Sequence, residues 1–167
     1  GFERFAYIPG VLANRLAEIP MQRGTSGRTM LNGAAFSSNA TEALPTGSVW
    51  AYVDGSPFAG DVNISGTATG WRTYLFGSLG RGGQSVFALD ATDINSINTA
   101  EASTNPSSIF KWQFTSDDDP DLGYIVNDIS TNIDSGQANP IVKLNNGKFA
   151  LMFGNGQKSA TGKAVLF

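Results

Sequence analysis

The densest group of reactive side chains in this chain is the run Asp117-Asp118-Asp119-Pro120-Asp121. Several carboxylates on one short loop are the oxygen-rich arrangement that calcium takes. The run lacks the Gly at the sixth position and the closing Glu of a calcium loop. Asp117, Asp119 and Asp121 are therefore weak metal-ligand candidates. The other reading is a solvated loop, with Pro120 fixing the turn and the aspartates capping backbone amides. The residue pattern favours that second reading. Asp54, Asp61 and Asp90 stand apart and could act as general acids. Asp54 precedes Gly55 in a turn signal and Asp90 ends a strand, which favours capping roles instead. Gly80-Arg81-Gly82-Gly83 could cradle a phosphate. It lacks the following helix and the Lys-Ser/Thr pair of a phosphate loop, so a hairpin turn is the expectation. Trp50, Trp71 and Trp112 could stack on sugar rings. A strand-borne Trp in a repeat more often packs between sheets, and Trp112 is assigned to the core.

The missing residue types narrow the chemistry further. There is no His and no Cys. A Ser-His-Asp triad, a His- or Cys-ligated metal, a disulfide and a thiol nucleophile cannot be built from this chain alone. The formal net charge is −3 with no basic cluster, which argues against nucleic-acid binding. No run of about 18 apolar residues is present, so no transmembrane helix is expected. No catalytic or cofactor-binding residue is assigned, and no cofactor is expected in this segment.

The elements that would position these residues are short strands. The chain has 167 residues, 41% of them hydrophobic, with 20 Gly and 11 Phe, a mix that favours strands and tight turns. Phe2 to Pro9 alternates as a strand would. Val11, Leu12, Leu16 and Ile19 recur at helical spacing, predicting one short helix over Gly10 to Glu18, stopped by Pro20. Residues 21–48 read as a long polar loop or a weakly ordered insertion. Ser48 to Val53 reads as a strand, and Asp54-Gly55 as the turn after it. Further strands are expected at Phe58 to Ile64, Trp71 to Gly77, Ser85 to Leu89 and Ile109 to Phe114. The segments 94–108 and 125–138 are polar loops. Pro140 to Leu144, Lys148 to Phe153 and Lys163 to Phe167 then repeat the meander. NPIVKL answers SPFAGDV, KFALMFGNG answers RTYLFGSLG, and GKAVLF answers GQSVFAL.

A repeated four-strand meander is the unit of a β-propeller. The fold class is accordingly all-β: a portion of a β-propeller with four-stranded antiparallel blades, long inserted loops and one short helix near the N-terminus. The expected division is a partial blade over 1–49, a full blade over 50–116 and a partial blade over 125–167. Asp54, Gly55 and Pro57 open the full blade, Gly82 and Gly83 turn it, and Asp90 and Trp112 close it; these are its structural residues. The chain begins at Gly1 and stops inside a strand-like run, so both ends read as cuts. Each blade buries its apolar face on its neighbours, so the isolated segment is expected to be unstable.

Two families are similar to this pattern. The run GxxVFALDAT followed by WQF resembles a blade of pyrroloquinoline-quinone enzymes, although about 20 residues here replace the short turn between Asp90 and Trp112. The closer resemblance is to the PilY/PilC-type tip adhesins of type IV pili. It rests on FAYIPGVL (5–12), VDGSPFAGDV (53–62), WRTYLFGSLGRGGQSVFALDATD (71–93), WQFTSDDDPDLGY (112–124) and NNGKFALMFGNGQKSATGKAVLF (145–167), in the family's order. This resemblance implies a non-enzymatic, exported protein of a Gram-negative bacterium, at the pilus tip and cell surface and associated with the outer membrane. Its implied roles are priming pilus assembly, opposing retraction and attaching to host or abiotic surfaces. Its implied partners are the minor pilins of the tip complex and the remaining propeller blades. Calcium is possible elsewhere in the full-length protein; the family's Asp-x-Asp-x-Asp-Gly loop does not occur in this stretch. The alternative is a quinoprotein dehydrogenase propeller, and a third, weaker reading is a periplasmic assembly scaffold. The polar loops 21–48, 94–108 and 125–138 are the expected recognition elements.

Overall fold

Period-two alternation bounded by turn residues builds the central sheet, because one face of each strand must be buried while its ends turn back. The computed structural model describes residues 5–13, 52–93, 105–127, 129, 132–133, 136–137 and 140–167. Four antiparallel strands form a meander in sequence order: β1 (Phe58–Asn63), β2 (Trp71–Ser78), β3 (Ser85–Asp90) and β4 (Phe110–Thr115). The register sets Phe58 opposite Phe76, Phe76 opposite Ala88, and Ala88 opposite Trp112. A bulge between Ala88 and Leu89 pairs Leu89 with Phe110 and leaves Lys111 as the extra residue on β4. Lys111 Nζ reaches Asp90 Oδ2 at 3.6 Å.

Two further sheets are small. β5 (Asn132–Ile133) pairs with β6 (Gly136–Gln137), and β7 (Ile141–Lys143) pairs with β8 (Phe149–Leu151). The chain end pairs back onto the run after β8. Phe153 and Phe167 exchange N–H···O bonds of 3.0 and 2.9 Å, and Asn155 N–H donates to Val165 O at 2.9 Å. β7 and β8 fall within the expected segments, whereas Lys163 to Phe167 is not a strand and pairs with the run after β8 only as the isolated Gly154–Leu166 bridge.

The core lies between the two repeats. Val62, Phe76 and Ala88 of the four-stranded sheet pack with Ile141, and Trp112, Phe149 and Leu151 close around them. A second cluster joins Val86, Leu122, Ile125, Ile129 and Phe153, with Phe114 and Phe167 against it. The opposite face of the sheet buries Phe87 and Leu89. Tyr7 stacks there, its ring 5.0 Å from Phe87 and 5.9 Å from Phe110. β3 is thus buried on both faces, as a strand within stacked blades is.

The N-terminal expectations change in part. Residues 5–9 are not in a strand, and residues 10–13 form a 3-10 turn in place of the first turn of an α-helix. Pro9 is the reason: it fixes φ, and its carbonyl accepts from Leu12 N–H at 2.9 Å, three residues on. The remainder of that helix, the 21–48 loop and most of the 48–53 strand lie outside the described residues. Residues 52–53 are a bend, because Asp54 N–H turns in to Leu79 O at 3.1 Å. The chain divides into a unit of Gly1–Tyr7 with Ala51–Phe167 and a unit of Ile8–Trp50.

Candidate functional site

The meander brings distant loops to one end of the sheets. β2 ends, β3 begins and β4 ends there, and β8 runs out toward the same end. The connection after β2 winds around Leu79, which is fully buried. Leu79 O accepts from both Asp54 N–H and Gly82 N–H, the latter at 2.8 Å. Gly80 has φ +56°, and a Cβ there would lie 2.9 Å from Asp54 C. A Cβ on Gly55 would collide with Ser78, and one on Gly83 would sit 2.8 Å from Leu79 Cδ1. The glycines of this loop serve close packing, and the 3-10 turn Gly80–Gly82 wraps a leucine where a phosphate cradle would stay open. Pro57 is exposed just ahead of β1.

The acidic run is held by capping bonds. Asp118 Oδ2 accepts from Thr115 N–H and Thr115 Oγ1, each at 2.9 Å. Asp119 Oδ1 accepts from Asp121 N–H at 2.9 Å. Asp121 Oδ1 accepts from Thr161 Oγ1, and Asp121 Oδ2 lies 3.7 Å from Lys163 Nζ. Among the described residues no group of three acidic side chains is arranged for a metal. Asp117, Asp119 and Asp121 are not brought together as a ligand set: Asp119 is turned to cap a backbone amide, and Asp121 is engaged by Thr161 and Lys163. These residues do not fit calcium.

Asp90 and Asp61 lie at the other end of the sheet, in a polar ladder. Asp90 Oδ1 accepts from Thr92 N–H at 3.0 Å and Thr92 Oγ1 at 2.6 Å. Thr73 N–H donates to Thr92 Oγ1 at 3.0 Å, and Thr73 Oγ1 donates to Asp61 Oδ1 at 2.7 Å. Tyr74, near Asp90, has its phenol pKa raised, first by burial and then by the Asp90 charge, with Arg72 acting the other way. Trp112 sits between the sheets, 6.1 Å from Phe76. Trp71 is half exposed and meets Phe149 edge-on at 5.8 Å. Trp50 lies outside the described residues.

Two features at the loop-rich end were not singled out from the sequence. The first is Asn155, 5% exposed. Its Nδ2 donates to Asp121 O and Lys163 O at 2.8 Å each, and its Oδ1 accepts from Val165 N–H at 3.1 Å. One amide thus ties the acidic loop to the chain end. Backbone contact supports it: Gly123 N–H donates to Asn155 O, and Tyr124 N–H to Gln157 O, each at 2.7 Å. A Cβ on Gly123 or Gly156 would strike the opposing backbone. The second feature is Lys158, a non-glycine residue at φ +57°, a strained backbone setting. Its carbonyl accepts from Gln84 Nε2 at 2.9 Å. Arg81, Tyr124, Val126, Gln157 and Lys158 line a notch of about 420 Å³. Two cations and a phenol suit the binding of an anionic group. The nearest sequence signal was Arg81 itself, and only the fold puts Lys158 on the same notch.

The expected recognition loops fare unevenly. The 21–48 segment and 94–104 lie outside the described residues. The 125–138 segment is not wholly a polar loop, since Ile125 and Ile129 are buried in the core. Among the described residues no helix is long and apolar enough to cross a membrane.

Residues 2–166 match the family model described as the PilY1 beta-propeller domain. The chain is 32% identical over 168 residues to a type IV pilus biogenesis factor PilY1 homolog of Xylella fastidiosa, covering 100% of this chain and 8% of that protein. It is 32% identical over 166 residues to the type IV pilus biogenesis factor PilY1 of Pseudomonas aeruginosa PAO1, covering 99% of this chain and 10% of the relative. The crystal structure of the Pseudomonas aeruginosa PilY1 C-terminal domain aligns with a TM-score of 0.49 at 37% identity, over 69% of this chain and 19% of that one. The chain thus spans about a tenth of the length of the curated relatives it matches.

Proposed function

Because the chain belongs to the PilY1 beta-propeller domain family, we propose that it forms two neighbouring repeats in the propeller of a type IV pilus biogenesis factor, and that they act as a non-enzymatic scaffold. The family match carries the biogenesis part of this reading, and the scaffold part rests on the packing of the four-stranded sheet on the β7–β8 sheet through Phe76, Trp112, Ile141 and Leu151. That packing fixes the loops at one end on a rigid base, which is how binding surfaces are usually presented. The whole protein is exported to the cell surface and the pilus tip, associates with the outer membrane, primes assembly with the minor pilins, opposes retraction and mediates attachment. The Arg81–Lys158 notch contacts a carboxylate-bearing segment of a tip partner. The names of the relatives favour this reading over a quinoprotein dehydrogenase.

The test is genetic. The full-length gene is deleted in its host and complemented with the natural protein or with an Arg81→Ser, Lys158→Ser double variant. Loss of surface pili on deletion, restored by the natural protein, supports the biogenesis role. A double variant that is exported normally yet leaves cells poorly piliated supports the notch. Piliation and attachment unchanged by deletion would refute the biogenesis reading, and a fully active double variant would refute the notch alone.

A further inference from the structure

The β7–β8 hairpin turn contains Asn146-Gly147, and the same dipeptide recurs at Asn155-Gly156. In an Asn-Gly pair the following amide nitrogen can attack the side-chain carbonyl, because glycine offers no Cβ in its way. The surroundings of the two pairs differ sharply. Asn146 and Gly147 are exposed. Lys148 N–H donates to Asn146 Oδ1 at 3.0 Å, which folds the side-chain amide back over the Gly147 peptide. That same N–H can stabilise the oxyanion formed as the carbonyl is attacked. Gly147 has φ +81°, and nothing lies within 4 Å of where its Cβ would be. Asn155, by contrast, is buried, with both amide protons and its carbonyl oxygen engaged.

We propose that Asn146 is a spontaneous deamidation site, one that the fold exposes while it protects Asn155. Hydroxide removes the Gly147 amide proton, and Gly147 N bonds to Asn146 Cγ. The Cγ–Nδ2 bond breaks, and the nitrogen leaves as ammonia after taking a proton from water. One water then opens the cyclic imide at either carbonyl, giving aspartate or isoaspartate. The Gly147 N–H bond to Leu144 O, 2.9 Å, must loosen first, and an exposed turn opens more readily than a buried node. The product places a carboxylate beside Lys148. The isoaspartate form also adds one backbone carbon to the turn, which shifts the Lys143–Phe149 register and strains the Trp71–Phe149 contact.

The test incubates the full-length protein at mildly alkaline pH and follows both sites by peptide mass spectrometry with isoaspartate detection. A parallel sample is held in denaturant. Asn146 should convert at least about tenfold faster than Asn155 in the native protein, the ratio that about 1.4 kcal/mol of opening free energy imposes. Denaturant should bring the two rates together. Gly147→Ala should slow conversion at 146 without changing the rate at 155. Equal native rates, or an Asn146 that stays intact while the denatured chain converts, would overturn the proposal.

Discussion

Replacing Asn155 by Ala removes one side chain that makes three hydrogen bonds, at 2.8, 2.8 and 3.1 Å. Each is a neutral bond contributing about 1 kcal/mol net. The loss also strands Asp121 O, Lys163 O and Val165 N–H at a site where Asn155 is 5% exposed. A stranded buried group costs about 1–3 kcal/mol, less where water enters the space left behind. The expected local destabilisation is about 3 kcal/mol, or about a hundredfold in the opening equilibrium. The effect should concentrate where the bonds land, on 121–124 and 163–167. Hydrogen exchange by mass spectrometry on the full-length protein reads this directly, because it reports local opening without assuming two-state unfolding. Peptides from β1 to β3 should change little. Asn155→Asp should be worse than alanine at neutral pH, since a carboxylate would face two carbonyl oxygens. Exchange at 163–167 within about threefold of the natural protein, a difference of only about 0.7 kcal/mol, would refute the view that this amide holds the chain end.

Gly156→Ala should destabilise the same node, because Gly156 has φ +77° and a Cβ would strike Tyr124 O; faster proteolysis near 154–163 in the full-length protein checks it. Trp112→Ala should lower stability by about 3 kcal/mol through the void left between the sheets, seen as a fall in Tm with loss of near-ultraviolet circular dichroism. Lys163→Met should shift stability by less than about 1 kcal/mol, because its ion pair with Asp121 is 3.7 Å long and the lysine side chain is 68% exposed; a large drop in a melting experiment would contradict this. Tyr74 has a folded-state pKa above its ordinary 10.0. Its contribution is therefore fully present below pH 10.0 and is lost as pH rises through the folded value. Tyr74→Phe should flatten the alkaline fall in Tm, and an unchanged alkaline profile would show that the phenol is not responsible.

Much of the fold was legible in the sequence because strands and turns are short-range. The alternation of Phe58 to Ile64, Trp71 to Gly77 and Ser85 to Leu89 fixed which side chains share a face, and the observed strands end within a residue of those limits. The β7–β8 hairpin was visible for the same reason, whereas the expected strand at Lys163 to Phe167 is only an isolated bridge at Leu166. The aspartates of 117–121 could also be read as caps, since Asp118 and Asp119 bond within three residues of themselves. The failures came where local pattern met a competing constraint. Residues 5–9 alternate yet form no strand, and Ile125 and Ile129 sit in a polar-looking segment yet enter the core.

The sequence by itself therefore determined the all-β class, the four-strand meander and its turns, together with the exclusion of His and Cys chemistry. Only the tertiary structure decided which residues act together. Asn155 matters through partners 34, 10 and 8 residues away. Gln84 reaches Lys158 across 74 positions, and Arg81 and Lys158 line the same notch. The same Asn-Gly dipeptide is open at 146 and locked at 155. Local propensity acts over a few residues, whereas burial and hydrogen-bond satisfaction depend on which distant segments pack together.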